Sequence, residues 1–321
     1  MRDILAELKK CSLIDTYTAT LLSMMEEDVN VLQLEADVGG VYAERESFRK
    51  FPERSLDVGI MEANLVGFAC GLSINGKIPF IHAFSVFLAR RAADQLFVSG
   101  CYNRANVKLF GSKPGVMGQS DGSTHQAFED MSIVRAMPKM EIFDVADPVL
   151  LKYLMRTFKD RYGMAYVRIV RNDAYGYYTE DETFEIGKAK QLREGNDVTI
   201  IASGLEVAQA LAAHEILLDK GIRARVLDCF SIKPIDKDSI IRAANETGCI
   251  VTAENHSVYG GLGSAVAEVL GENAPVPMRR IGVQDRFGQS GTLDYLMKEY
   301  RLLGSDIAEA CLDVIRKKEK N

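Results

Sequence analysis

A chain of 321 residues with 47% hydrophobic and 26% charged side chains has the apolar content for one large domain or two ordinary ones. A net charge of −6, with no basic block beyond Lys317–Lys318, argues against nucleic acid and anionic membrane surfaces as partners. No apolar run is long enough to span a bilayer, and the N-terminal MRDILAELKK carries acids and lacks the apolar centre of a secretory signal. The six cysteines form no CxxC pair, which fits buried free thiols in a reducing cytoplasm. The four histidines have no metal-ligand spacing, so no metal site is expected on this chain.

In chain order, residues 1–28 read as helical, and Val29–Asp37 as an apolar strand ending in an acid. Residues 41–56 read as polar and irregular. Met61–Ile74 reads as a helix with Met61, Leu65, Phe68 and Leu72 on one face. Its other positions are small, which predicts close helix-on-helix contact, including across a dimer. The pattern then repeats as strand Ile78–Phe84, helix Val86–Ser99, strand Val107–Ser112, a long glycine-rich loop, helix Gln126–Arg135, strand Met140–Asp147, helix Pro148–Arg161 and strand Met164–Val170. Residues 172–190 are polar and tyrosine-rich and read as a linker. A second series follows: strands Val198–Gly204, Ala224–Phe230, Cys249–Asn255 and Pro277–Val283, with helices Glu206–Lys220, Asp236–Thr247, one from near Gly261, Thr292–Tyr300 and Ser305–Lys317. Short apolar strands alternating with helices predict an α/β chain of two domains, residues 1–180 and 187–321. Each would be a mainly parallel sheet with helices on both faces.

Two stretches stand out. Asp57–Phe87 places Glu62 in the first turn of a helix, then a short strand, then a helix opening with Phe84 and Phe87. A carboxylate before an aromatic pair suits a flat heterocycle, although a helix dipole and ordinary core spacing account for the same residues. The second is the loop KPGVMGQSDGSTHQAFED, which carries Lys113, Asp121 and His125 beyond the end of a strand, where α/β sheets gather ligands. It lacks the Lys-Ser/Thr of a P-loop; a glycine-rich surface turn with local caps is the alternative.

GIMEANLVGFACGL, AFSVFLARRAADQL and SDGSTHQAFEDMSIVRAMP, in that order, resemble the pyrimidine-binding domain of transketolases. DVTIIASG, KPID and ENHSVYGGLGSAV resemble the transketolase C-terminal domain. The DG-x-TH-Q-x-x-E-D string is the most specific part and is shared with deoxyxylulose-phosphate synthases. The GDG signature of the family's diphosphate-binding domain is missing, so the chain resembles the C-terminal half of a split transketolase.

That resemblance implies the thiamine diphosphate cofactor. It also implies Mg2+ or another divalent metal held mainly by a separate N-terminal, diphosphate-binding subunit, with the chain self-associating as a dimer and a heterotetramer formed with that subunit. Glu62 matches the carboxyl that bonds to N1′ of the aminopyrimidine, a role served by a dry pocket. Phe84, Phe87 and Arg90 match positions around the pyrimidine, and Val38 the aliphatic support of the thiazolium. Asp121 and His125 match substrate contacts near the reacting carbon, with His125 also catalytic, and Arg171 matches an arginine that grips the distal phosphate of sugar phosphates. His256 matches a structural motif, and Arg168 reads as structural. Two departures bear on the substrate. Val41 stands where relatives have a phosphate-binding Ser, and Lys113 where they have a His, so a modified, branched or sulfonated sugar is a candidate. The implied activity is transfer of a two-carbon ketol unit from a ketose phosphate to an aldose, in the cytoplasm. The alternatives are a deoxyxylulose-phosphate-synthase-like chain, a 2-oxo acid dehydrogenase β-type subunit and a non-catalytic regulatory dimer.

Overall fold

A computed structural model describes residues 2–38 and 45–320. Its strands are β1 (Lys9–Cys11), β2 (Val31–Glu35), β3 (Ser55–Asp57), β4 (Ile78–Phe84), β5 (Lys108–Ser112), β6 (Glu141–Val145) and β7 (Ala165–Ile169). They continue with β8 (Ala174–Gly176), β9 (Lys190–Arg193), β10 (Val198–Ala202), β11 (Ala224–Asp228), β12 (Ser231–Lys233), β13 (Ile250–Ser257) and β14 (Met278–Val283). One sheet has the order β12-β6-β7-β5-β4-β2-β3 and a second the order β14-β13-β10-β11-β9. All pairings within them are parallel except β12 on β6 and β9 on β11.

Strands β2, β5, β7, β10 and β11 are buried at every position, as parallel strands covered on both faces must be. Alternation sorts their side chains. Phe80, Phe110, Phe143 and Val167 pack in one cluster with Leu21 and Met24 of helix 13–27 and Leu151 and Leu154 of helix 148–160. Their neighbours Ile81, Leu109, Ile142 and Tyr166 pack with Leu65 and Val66 of helix 62–74 and Met131 of helix 130–135. In the second sheet, Val198, Ile200 and Val226 pack against helices 206–218 and 304–318, and Ile201 and Leu227 share the cluster of helices 237–247 and 262–273.

Several elements differ from the sequence reading. Residues 1–28 are not continuously helical: β1 separates helix Ile4–Glu7 from helix Leu13–Glu27 and pairs antiparallel with β8, which lies inside the expected linker. The stretch 41–56, expected to be irregular, contains helix Arg45–Lys50 and strand β3. Helix Val86–Ser99 is instead helix Ser85–Arg91, a short turn and a π-helical segment Leu96–Tyr102. Helix 126–135 begins only at Asp130, because residues 126–129 still belong to the loop. Strand β12, far along the chain, closes the edge of the first sheet.

The two sheets meet around one buried cation. Arg168 on β7 is fully buried and donates to Asp130 Oδ2 (2.9 Å), Asp144 Oδ2 (3.0 Å) and the Asn255 carbonyl (2.9 Å). Tyr166 and Ser203 hydroxyls donate to the same two carboxylates, each at 2.8 Å. His256 lies beside Asp130, and burial pulls it down to about 4, so it is neutral here. Arg168→Met should remove the only cation hydrogen-bonded to Asp130 or Asp144 among the described residues, costing about 3–5 kcal/mol. A thermal melt should show a midpoint lower by on the order of 10 °C; an unchanged midpoint would remove Arg168 from this role.

Candidate functional site

The carboxyl ends of the first sheet assemble the site. From β2 the chain moves outward to β3 and returns on the other side as β4, so the loops after β2 and β4 diverge and open a crevice. Val38 follows β2, Glu62 follows β3, Phe84 ends β4, and Lys113 follows β5. Register pairs Ser112 with Ile169, which puts Arg171 at the same edge. Asp57 joins the first two loops: its Oδ1 accepts from Asp37 N (3.0 Å) and Gly59 N (2.8 Å).

Glu62 opens helix Glu62–Ile74 and is 2% exposed. Its Oε2 accepts from Arg91 Nη1 at 2.5 Å, and its Oε1 has no hydrogen bond among the described residues. The carboxylate is buried, and it is also ion-paired with a partly exposed guanidinium. The Arg91 guanidinium lies 4.5 Å from the centre of the Phe87 ring. Phe84, Phe87 and His125 form an aromatic trio: Phe84–Phe87 centroids lie 6.0 Å apart, Phe84–His125 6.1 Å, and Phe87–His125 5.1 Å edge to face. His125 Nδ1 is 2.9 Å from Thr124 Oγ1. Lys113 Nζ sits 4.6 Å from the Phe84 ring centre and donates to Asp121 Oδ2 at 2.6 Å. That bond holds the Asp121 carboxyl below the usual carboxylate range.

Glu62, Phe84, Phe87, His125, Lys113 and Asp121 are thus brought together. Val38 is buried in the apolar cluster against which Phe84 packs. Arg90 turns along the loop, ion-paired with Glu129 and 3.4 Å from the Gln126 carbonyl. Arg171 is half-buried, its carbonyl accepting from Leu13 N at 2.8 Å. Val41 lies outside the described residues.

The second domain holds the loop in place. Asn255 Oδ1 accepts from Val116 N (2.9 Å) and its Nδ2 donates to the Pro114 carbonyl (3.1 Å). Gly115 has φ +56°, and a Cβ there would lie 2.0 Å from Asn255 Oδ1. Farther along, Gln126 Nε2 donates to the Gln289 carbonyl at 3.0 Å and Gly291 N to the Gln119 carbonyl at 3.3 Å. Sequence reasoning missed Arg91 and Asn255. Arg91 lies one helical turn beyond Phe87, a spacing that signals contact; Asn255 has no local signature, because its partner loop is distant in sequence.

Among the described residues, no three His, Cys, Asp or Glu side chains gather to hold a metal. No helix of theirs is long and apolar enough to cross a membrane, and all six cysteines are free, five of them buried.

Family models match residues 9–175 as the pyrimidine-binding domain of transketolase and residues 187–307 as the transketolase C-terminal domain. A 6-deoxy-6-sulfo-D-fructose transketolase subunit of Clostridium sp. (strain MSTE9) is 43% identical, over 95% of this chain and 94% of that protein. An apulose-4-phosphate transketolase subunit of Phocaeicola vulgatus is 36% identical, over 94% of this chain and 97% of its own length. Among solved structures, a split-gene transketolase in an inactive beta4 tetramer superposes with a TM-score of 0.87 at 37% identity, over 97% of this chain and all of the other.

In a Lys113→Met variant, the Asp121 carboxyl should titrate higher, back toward the ordinary range, by NMR of its side-chain carbon. An unmoved titration would dissolve the Lys113–Asp121 pair as a unit of the site.

Proposed function

The chain belongs to the transketolase family, and we propose that it is the C-terminal subunit of a two-subunit, thiamine-diphosphate-dependent glycolaldehyde transferase. The observation that carries this reading is Glu62. It is a carboxylate on a 2% exposed residue with one oxygen left without a hydrogen bond among the described residues, beside an aromatic trio at the crevice of an α/β sheet. A carboxylate oxygen of this kind beside aromatic edges fits an aminopyrimidine, whose ring nitrogen Glu62 would bond and which Phe84 and Phe87 would flank, while Val38 would support the thiazolium.

Bound there, thiamine diphosphate supplies a carbon nucleophile that accepts and releases a two-carbon ketol unit. This chain's own contribution is to hold the ring through Glu62, favouring its imino tautomer, and to exclude water with Phe84 and Phe87. His125 would donate to or accept from substrate oxygens near the reacting carbon. Asp121, kept anionic by Lys113, would bond sugar hydroxyls. Lys113 and Arg171, on one sheet edge, suit a sugar with a terminal anion. Two of the relatives are named for a sulfonated and a phosphorylated sugar, so we place the substrate among ketoses carrying phosphate or sulfonate.

In this reading the diphosphate and its divalent metal are held by a separate N-terminal subunit; the sulfofructose and apulose-phosphate relatives are likewise named as subunits. Ile60, Met61 and Phe68 beside Glu62, with Phe97 and Val98 of the π-helical segment, are exposed apolar side chains, and a Cβ on Gly67 or Gly71 would meet nothing within 4 Å. This open surface suits a docking chain that completes the site, in a heterotetramer built on a dimer of this subunit. Buried free thiols fit the cytoplasm. The boundaries 1–180 and 187–321 remain our domain division, with β12 reaching back to the first sheet.

Glu62→Gln should keep the fold and lower turnover of the reconstituted enzyme by about a hundredfold or more. Near-normal turnover in a sugar-transfer assay would refute the reading.

A further inference from the structure

Arg91 is the side chain that the family resemblance did not single out, since the matching position was Arg90. The structure separates the two. Arg90 points along the loop to Glu129. Arg91, one residue later at the end of helix Ser85–Arg91, points elsewhere and meets Glu62 at 2.5 Å. The exposures are unequal: the Glu62 side chain is 2% exposed and that of Arg91 45%. The guanidinium therefore stands between the buried carboxylate and the open surface. It is itself fixed from the other side by the Phe87 ring, and Phe87 meets His125 edge to face. Arg91 is bonded to one carboxylate oxygen and stacked on an aromatic wall.

We propose that Arg91 is a positioning residue for Glu62: by taking Oε2 and resting on Phe87, it fixes the carboxylate plane so that Oε1 alone faces the heterocycle. This rests on the reading of Glu62 given above. A carboxylate free to rotate offers either oxygen over a range of directions, and a nearby ring would have to select one. A bond to one oxygen removes that freedom before the ring arrives, and an ion pair also offsets part of the cost of burying the charge. Phe87 then has two roles, as wall for the ring and as seat for the guanidinium. The same contact ties the orientation of Glu62 to the helix that follows β4, so both sides of the crevice are set together.

The test is a double-mutant cycle on cofactor affinity, with Arg91→Gln, Glu62→Gln and the double variant. Thiamine diphosphate with Mg2+ is titrated calorimetrically into the chain reconstituted with an N-terminal transketolase half. Arg91→Gln should weaken binding about tenfold, Arg91→Lys should recover part of the loss, and the double variant should bind no worse than Glu62→Gln alone. Melts of the free variants confirm that each is folded. A merely structural ion pair would move those melts but leave affinity unchanged or the two losses additive; either result overturns the inference. Affinity untouched by Glu62→Gln itself would instead sink the functional reading.

Discussion

The fold turns on a guanidinium buried where the two sheets meet. Arg168 reaches from β7 to Asp144 on β6, to Asp130 where the site loop becomes a helix, and to the backbone of Asn255 on β13 of the second sheet. A buried cation of this kind is costly unless its neighbours answer it, and here both carboxylates do, with the Tyr166 hydroxyl adding a donor to Asp130 and the Ser203 hydroxyl one to Asp144. The consequence is geometric. Asn255, whose carbonyl is fixed by Arg168, uses its side chain to grip Pro114 and Val116, so the loop bearing Lys113 and Asp121 is set by the second domain as much as by the first.

That arrangement gives the C-terminal domain a task in a site it does not line. Glu62, Phe84, Phe87 and His125 all come from the first sheet, while the second domain braces the loop at Pro114–Val116, at Gln119 and at Gln126. The crevice is thus braced from both domains, with apolar residues exposed beside it. On the proposed reading it would take the ring portion of the cofactor, and affinity for the charged tail would come from a partner subunit.

The central strands were legible in the sequence because each is a short apolar run buried on both faces, and the crevice followed from where those strands end. Glu62, Phe84 and Phe87 stood out as a carboxylate in the first turn of a helix before an aromatic pair, and Lys113, Asp121 and His125 by the long glycine-rich loop that carries them, with the family resemblance pointing to both stretches. Three-residue strands such as β1 and β12 were not. Lys9–Cys11 and Ser231–Lys233 have no periodicity to show, and their pairing partners, β8 and β6, lie far along the chain. The π-helical segment hid because its apolar pattern still reads as helix. Arg91 was hidden by a neighbour of the same type: in Arg90–Arg91, only the direction of each side chain says which one meets the carboxylate.

The central claim is that this chain carries only the ring half of a thiamine diphosphate site. The measurement that tests it most directly is calorimetric titration of thiamine diphosphate with Mg2+ into the chain alone and into its mixture with an N-terminal transketolase half. The account predicts tight binding in the mixture and none of comparable strength to the chain alone. Tight binding to the isolated chain would contradict it, because the diphosphate would then have a cradle on this subunit.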